Sequence, residues 1–564
     1  MSIYSERPWL SSYAPDVPAD VDVPAGSLAH LIDESVATYG KHVALEFFGA
    51  TTTYAELGDQ IARAAEGLRK RGVRKGDRVA LVLPNCPQHV VAFYAALRLG
   101  AVIVEHNPLY TPRELRHQFE DHGATVAIVW DKVAKTVQEL PADLAVTTVV
   151  SVDITRAMPA SKRFALRLPI PAARKAREQL TTTVSGTITW ETLVASRRLK
   201  ASVPRPEGDD LALIQYTSGT TGTPKGAMLS HSNLTVNAAQ ARAWVPTIER
   251  GTSVVYAVLP LFHAYGLTLC LTFAMSMGAR LVLFPKFDPD LVLDVVKKHP
   301  ATFLPAVPPI YERLVQAAEK RRVSLSGIQI AISGAMSLPQ SIVDLWEQKT
   351  GGFLVEGYGL SECSPVLMAN PVGATRRPGT VGLPLSSTEL RVADPDDPSV
   401  DRAFGEEGEL LARGPQVFSG YWRRTEETAK VLTADGWFRT GDIVTMDEDG
   451  FVRIVDRIKE LIVTGGFNVS PTEVEDALRP FEGVEDVAVV GLPHRRGGED
   501  VVAAVVMKPG ASFDEAAMRA HARDCLTPYK VPKHIVQVDE LPRSIVGKVI
   551  RRKVRDQLLK DQQG

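Results

Sequence analysis

From Tyr54 onward, apolar residues follow two alternating patterns: helical spacing at intervals of three and four, and short unbroken runs bounded by Gly, Pro or Asp. Residues 54–71 carry the first pattern and close at Gly72, whereas residues 77–83 (DRVALVL) carry the second. Residues 87–99 begin with Pro87, where a missing N–H costs nothing, and stop at Gly100, which predicts another helix. The run AVIVE (101–105) reads as a strand. After it, Thr111 can cap the third amide of a helix while Glu114 reaches back to the cap, a capping box opening a helix that ends near Gly123. Residues 124–130 form the next strand. Strands separated by helices of about 10–15 residues are βαβ units, so a parallel sheet covered by helices on both faces is expected.

Beyond the apolar strand 211–215 (LALIQ) the alternation resumes, and after about residue 455 the texture changes. Residues 486–492 and 499–507 read as strands, 513–526 as a helix and 535–538 as a strand before a basic terminal helix, giving a small α+β unit. Residues 253–279 contain no Asp, Glu, Lys or Arg and are long enough to suggest a membrane span. Pro260, His263 and Gly266 break the run, so a buried strand, a turn and a buried helix are expected instead. Residues 161–180 set six Lys or Arg and one Glu among Phe164, Leu166, Leu168 and Ile170. Such a segment is either a solvated surface loop or a contact for an anionic membrane surface; Pro169 and Pro171 count against a helix there.

Composition narrows the function classes. A chain of 564 residues with 45% hydrophobic and 23% charged residues can bury a large core and is not disordered. Its formal charge of −2 supplies no global field for nucleic acid. Cys86, Cys270, Cys363 and Cys525 lie far apart, which argues against a disulfide framework or a thiolate metal site and fits a reducing, cytoplasmic setting. The first residues lack the basic and apolar regions of a secretory signal.

The most informative segment is YTSGTTGTPKGAMLSH (216–231), directly after the strand 211–215. Five Ser or Thr, three Gly and Lys225 within residues 216–226 make a loop whose amides, hydroxyls and ammonium can wrap phosphate oxygens. It is not a Walker A loop, because Lys225 is followed by Gly226 rather than Ser or Thr. In GYGLSE (357–362), Glu362 offers a hard oxygen suited to Mg²⁺. Asp442 in RTGDI can accept hydroxyls after a tight turn, and His263 stands alone among apolar residues. Lys548 is one of several cations near the C-terminus.

Residues 216–231 resemble the signature loop of the adenylate-forming superfamily, which includes acyl-CoA synthetases, peptide-synthetase adenylation domains and firefly luciferase. LPLFHAYG (259–266), VEGYGLSE (355–362), FRTGD (438–442), DRIKELIVTGGFNVSPTEVE (456–475) and LPRSIVGKVIRRK (541–553) resemble the family's other signatures in the family's order. The resemblance spans residues 54–553. It implies an α/β fold: a large N-terminal adenylate-forming domain of layered sheets (1–458) and a small mobile α+β C-terminal domain (459–564).

It also implies roles. Thr217, Ser218, Gly219, Thr220, Thr221, Gly222 and Lys225 would hold the ATP phosphates, with Gly334, Gly357 and Gly359 also at the nucleotide. Tyr358 would stack near adenine, Ser361 meet the α-phosphate, and Thr217 and Glu362 hold Mg²⁺. Asp442 would take the ribose hydroxyls and Arg457 the ribose or a phosphate. His263 would position the acid rather than transfer a proton, and Lys548 would meet the carboxylate and α-phosphate during adenylation. Lys459 matches the family's hinge, and Gly465, Gly466 and Phe467 its pantetheine channel. Some members carry a second lysine where this chain has Val463, so no catalytic role attaches to that position.

The implied reaction is ATP-dependent formation of an acyl-adenylate, followed by transfer to coenzyme A. GGFNVSPTEVE, SGAMSLP (333–339) and the basic segment 161–180 most resemble bacterial ligases of medium- to long-chain fatty acids, with coumarate-like aryl acids as the alternative. A fatty-acyl-AMP ligase would carry an insertion before Lys459 that this chain lacks, and a luciferase-like oxygenase would share the adenylating parts. A nucleotide binder without catalysis would be expected to have lost Lys225, Glu362 or Lys548, and all three stand.

Overall fold

The computed structural model describes all residues except 1, 218–223, 336–337, 458–461, 466, 470, 495–497, 543–548, 550 and 562–564; the side chains of 455–457, 468, 472, 552 and 561 are also outside the description. The alternation from Tyr54 folds as expected into a seven-stranded sheet. Arg78–Val82 lies at its centre between Val102–Glu105 and Val126–Trp130, parallel to both, and Leu211–Thr217 extends it beyond Val102–Glu105. Only the last pair, Leu211–Thr217 with Lys225–Ser230, is antiparallel. A second sheet of nine strands is parallel through its middle and antiparallel at both ends.

The helix Pro87–Arg98 touches strands of both sheets and is buried along its whole length, so both of its faces carry apolar residues. Arg98 is tolerated there because its guanidinium donates to the carbonyls of Val203 and Pro204 at 2.8 and 3.0 Å. Residues 253–279 form the strand Val254–Ala257 and a buried helical run that includes a π-helical stretch, Leu267–Thr272. Among the described residues no helix is long and apolar enough to cross a membrane.

A four-stranded antiparallel sheet, from Glu389–Ala393 to Val452–Arg457, follows. The last part of the chain builds a separate core around Val487, Val505 and Met518. There the hairpin Ile462–Thr464 and Phe467–Val469 precedes a three-stranded sheet and the helices Pro471–Leu478, Glu515–Cys525 and Arg551–Asp561. The basic segment departs from expectation. It folds as two short helices, Ala160–Ala165 and Pro171–Leu180, because Pro171 occupies the first turn, where its fixed φ favours a helix instead of breaking one.

Candidate active site

A cavity of about 410 Å³ opens at the ends of both large sheets and is closed on one side by the small C-terminal unit. The antiparallel register sets Thr217 opposite Lys225, so the phosphate-type loop is pinned at both of its ends on the cavity wall. Ser218, Gly219, Thr220, Thr221 and Gly222 lie outside the described residues. The Lys225 ammonium pairs with the Glu427 carboxylate and stands 5.3 Å from the centre of the Tyr421 ring. Hydrogen bonds from Lys225 and Lys430 hold the Glu427 carboxyl down at about 2.

Glu362 sits in the single helical turn Ser361–Cys363 and is 5% exposed. Tyr421 donates its hydroxyl to Glu362 Oε1 at 2.7 Å, orienting the carboxylate on the cavity wall. Gly357 and Gly359 belong to the preceding strand, Phe353–Gly359. At Gly359 a Cβ would fall 1.9 Å from the carbonyl oxygen of Pro365, so chain packing alone demands glycine there. Gly334 follows the strand Ile330–Ser333, and a Cβ there would stand 3.1 Å from the Tyr265 ring.

His263 caps the helical run that follows it, its Nδ1 accepting the Tyr265 N–H at 3.3 Å. That bond fixes the neutral tautomer with the proton on Nε2. Burial pushes the imidazole down to about 4 even though the ring lines the cavity. It can therefore orient a carboxylate by donating, and is a poor general base near neutral pH.

Asp442 does not follow a tight turn; it lies within the long strand Phe438–Met446. The irregularity that aims it is a register shift across Gly441, whose φ is +73°. Asp442 is 2% exposed and lines the cavity, and the Tyr358 hydroxyl donates to it. Tyr358 thus spends its polar end on the aspartate, and its ring is 6% exposed. Arg457 pairs in register with Asp442 on the adjoining strand, its side chain outside the description. Phe467 and Ser361 line the cavity, and Gly465, with φ +57°, makes the turn of the hairpin. Lys459, Gly466 and Lys548 fall outside the described residues.

Sequence reasoning passed over several residues here. Gln215 donates to the Phe262 carbonyl at 3.1 Å, while its buried Oε1 has no partner among the described residues. Its signal was a polar residue ending an otherwise apolar strand. Glu105 meets His89 Nε2 at 3.0 Å, and burial raises its carboxyl above the usual range despite that bond. Tyr421 and Glu427 had no local signature, since they act only through partners distant in sequence. All four cysteines are free, and no cluster of three or more ligating side chains suited to a metal occurs among the described residues.

The AMP-binding enzyme family matches residues 32–422, and the AMP-binding enzyme C-terminal domain matches residues 473–548. A long-chain-fatty-acid–CoA ligase from Bacillus subtilis is 37% identical over 554 residues, covering 98% of each chain. A feruloyl-CoA synthase from an Amycolatopsis species is 35% identical and covers 90% of this chain and 94% of its own. Among solved structures, an amide bond synthetase from Marinactinospora thermotolerans aligns with a TM-score of 0.79 at 27% identity, over 94% of this chain and 99% of the other.

Proposed function

The chain belongs to the AMP-binding enzymes, and from that premise we propose that it activates a medium- to long-chain fatty acid with ATP and passes the acyl group to coenzyme A. In the first step a carboxylate oxygen attacks the α-phosphate, forming acyl-AMP and releasing pyrophosphate. In the second the coenzyme A thiol attacks the acyl carbon, giving the thioester and AMP, with the thiol proton passing to solvent. The observation that carries the reading is the convergence of Lys225, Glu362, Asp442 and the neutral His263 on one cavity.

In this reading Lys225 and residues 217–222 hold the phosphates, with Gly334, Gly357, Gly359 and Ser361 beside them. Asp442, oriented by Tyr358, holds the ribose, Arg457 the ribose or a phosphate, and the His263 Nε2–H orients the acid. Thr217 and Glu362 form a hard-oxygen pair suited to Mg²⁺, which would neutralise phosphate charge. Lys548 is assigned to adenylation, Lys459 to the hinge between domains 1–458 and 459–564, and Gly465, Gly466 and Phe467 to the thiol channel.

The reading also includes peripheral contact of residues 161–180 with an anionic membrane. None of their six cations has an ion pair among the described residues, and Phe164, Leu168 and Ile170 are exposed. The test of function is AMP release with ATP, Mg²⁺, coenzyme A and a panel of acids from octanoate to oleate, with coumarate and ferulate beside them. Turnover greatest on the aryl acids would move the assignment to that class, which the feruloyl-CoA synthase likeness favours as the second reading. No AMP from any acid would overturn it.

A further inference from the structure

The capping box at the start of the helix Pro112–His122 does more than open a helix. Glu114 Oε2 accepts the Thr111 N–H at 2.8 Å, as a capping box requires. Its other oxygen faces the C-terminal unit, where Lys530 Nζ lies at 2.7 Å and Thr527 Oγ1 at 3.3 Å. The same ammonium lies 2.8 Å from Glu473 Oε1, on the helix Pro471–Leu478 of the C-terminal unit. Lys530 is 5% exposed. A single buried cation therefore ties one carboxylate of the large domain to one of the small domain.

Around it, Thr111 Oγ1 donates to the Cys525 carbonyl at 3.4 Å and the ammonium stands 5.2 Å from the Tyr110 ring. The neighbouring Tyr529 ring stacks on Phe467 at 4.2 Å, with 20° between the planes. Phe467 lines the cavity that also holds Thr217, Lys225 and Glu362. The contact thus couples a particular orientation of the small domain to one particular side chain at the cavity wall. Burial by itself lowers the Lys530 pKa, but Glu473, the two tyrosines and Glu114 outweigh it and raise it, so the ammonium stays charged. Without that cation, two half-buried carboxylates from different domains, their side chains 9% and 15% exposed, would face each other, an arrangement that disfavours this orientation specifically.

We propose that Lys530 is a positioning residue: by bridging Glu114 and Glu473 it holds the small domain in the orientation that presents Phe467 to the cavity, and so serves thioester formation rather than adenylation. This rests on the two-step reading above.

The experiment compares wild type with Lys530→Met, Lys530→Arg and Glu114→Gln. The glutamine keeps the capping box while removing the large domain's charge. Adenylation is read as acid-dependent exchange of pyrophosphate into ATP, and thioester formation from supplied acyl-adenylate and coenzyme A. Lys530→Met and Glu114→Gln are expected to slow the thioester step tenfold or more while leaving exchange within threefold, with Lys530→Arg recovering much of the loss. Equal loss in both steps, or an unchanged thioester step, would overturn the proposal.

A second measurement needs no substrate. Amide hydrogen exchange at residues 111–115 and 467–469 should quicken in Lys530→Met but not in Lys530→Arg, and unchanged protection would refute the bridge. If wild type activated no acid while these amides still responded, the two-step reading would fall and the bridge would stand.

Discussion

Residues 161–180 allow a quantitative test of membrane contact. Arg167, Arg174, Lys175 and Arg177 are all exposed, and none has an ion-pair partner among the described residues, so replacing them with Gln disturbs no packing. Each cation near an anionic surface contributes about 1 kcal/mol, so the four together supply about 4 kcal/mol, roughly a 10³-fold change in partition coefficient. Phe164, 70% exposed, adds an apolar anchor of about 1–2 kcal/mol that salt does not screen. Cosedimentation with vesicles of mixed zwitterionic and anionic lipid at low salt should fall by that factor in the quadruple variant. In Phe164→Ser it should fall only about tenfold, at any salt. Turnover of a short soluble acid should be unchanged in both, whereas turnover of a long acid delivered in vesicles should drop. Equal vesicle binding by wild type and quadruple variant would refute the reasoning, as would wild-type binding that ignores lipid charge.

Other outcomes follow from buried histidines and from the site. Burial holds His106 and His231 at about 4 and pushes His122 well below its ordinary value, so each binds a proton more readily when unfolded, where its pKa is about 6.5. Their neutral forms support the fold fully above pH 6.5, and that support is lost as pH falls toward 4: at pH 5.5 His106 and His231 each cost about 1.4 kcal/mol. Urea titrations should show stability falling steeply over this range, and a flat profile would contradict it. Glu427→Gln removes the anion paired with Lys225, so if Lys225 holds the ATP phosphates as proposed, KM for ATP should fall about fivefold with kcat little changed, a pair of this exposure contributing about 1 kcal/mol. A raised KM would mean that Glu427 instead aids binding. Lys548→Ala should cut adenylation by about 10² to 10³ while sparing thioester formation from acyl-adenylate. Parallel loss of both steps would argue against that division of labour.

What the sequence determined by itself was local. Its alternating periodicities dictated the parallel sheets and their helices, because side-chain spacing alone decides which face of a segment can be buried. The capping box at Thr111 and Glu114 was legible for the same reason: cap and partner lie within one helical turn. The motif resemblance named Lys225, Glu362, Asp442 and His263 one by one, and their convergence needed the two sheets to meet. Tertiary structure decided the partners. Tyr358, expected beside a base, gives its hydroxyl to Asp442, 84 positions away, and Glu362 is oriented by Tyr421. Gly359 is glycine because of the Pro365 carbonyl. Pro171, expected to break a helix, begins one. Glu114 shows the division within one side chain: its capping oxygen is fixed by three residues of sequence, while its other oxygen meets Lys530 across 416 positions. Local rules cannot reach that far, because a hydrogen bond depends on separation in space and the chain brings those atoms together only after both domains have folded.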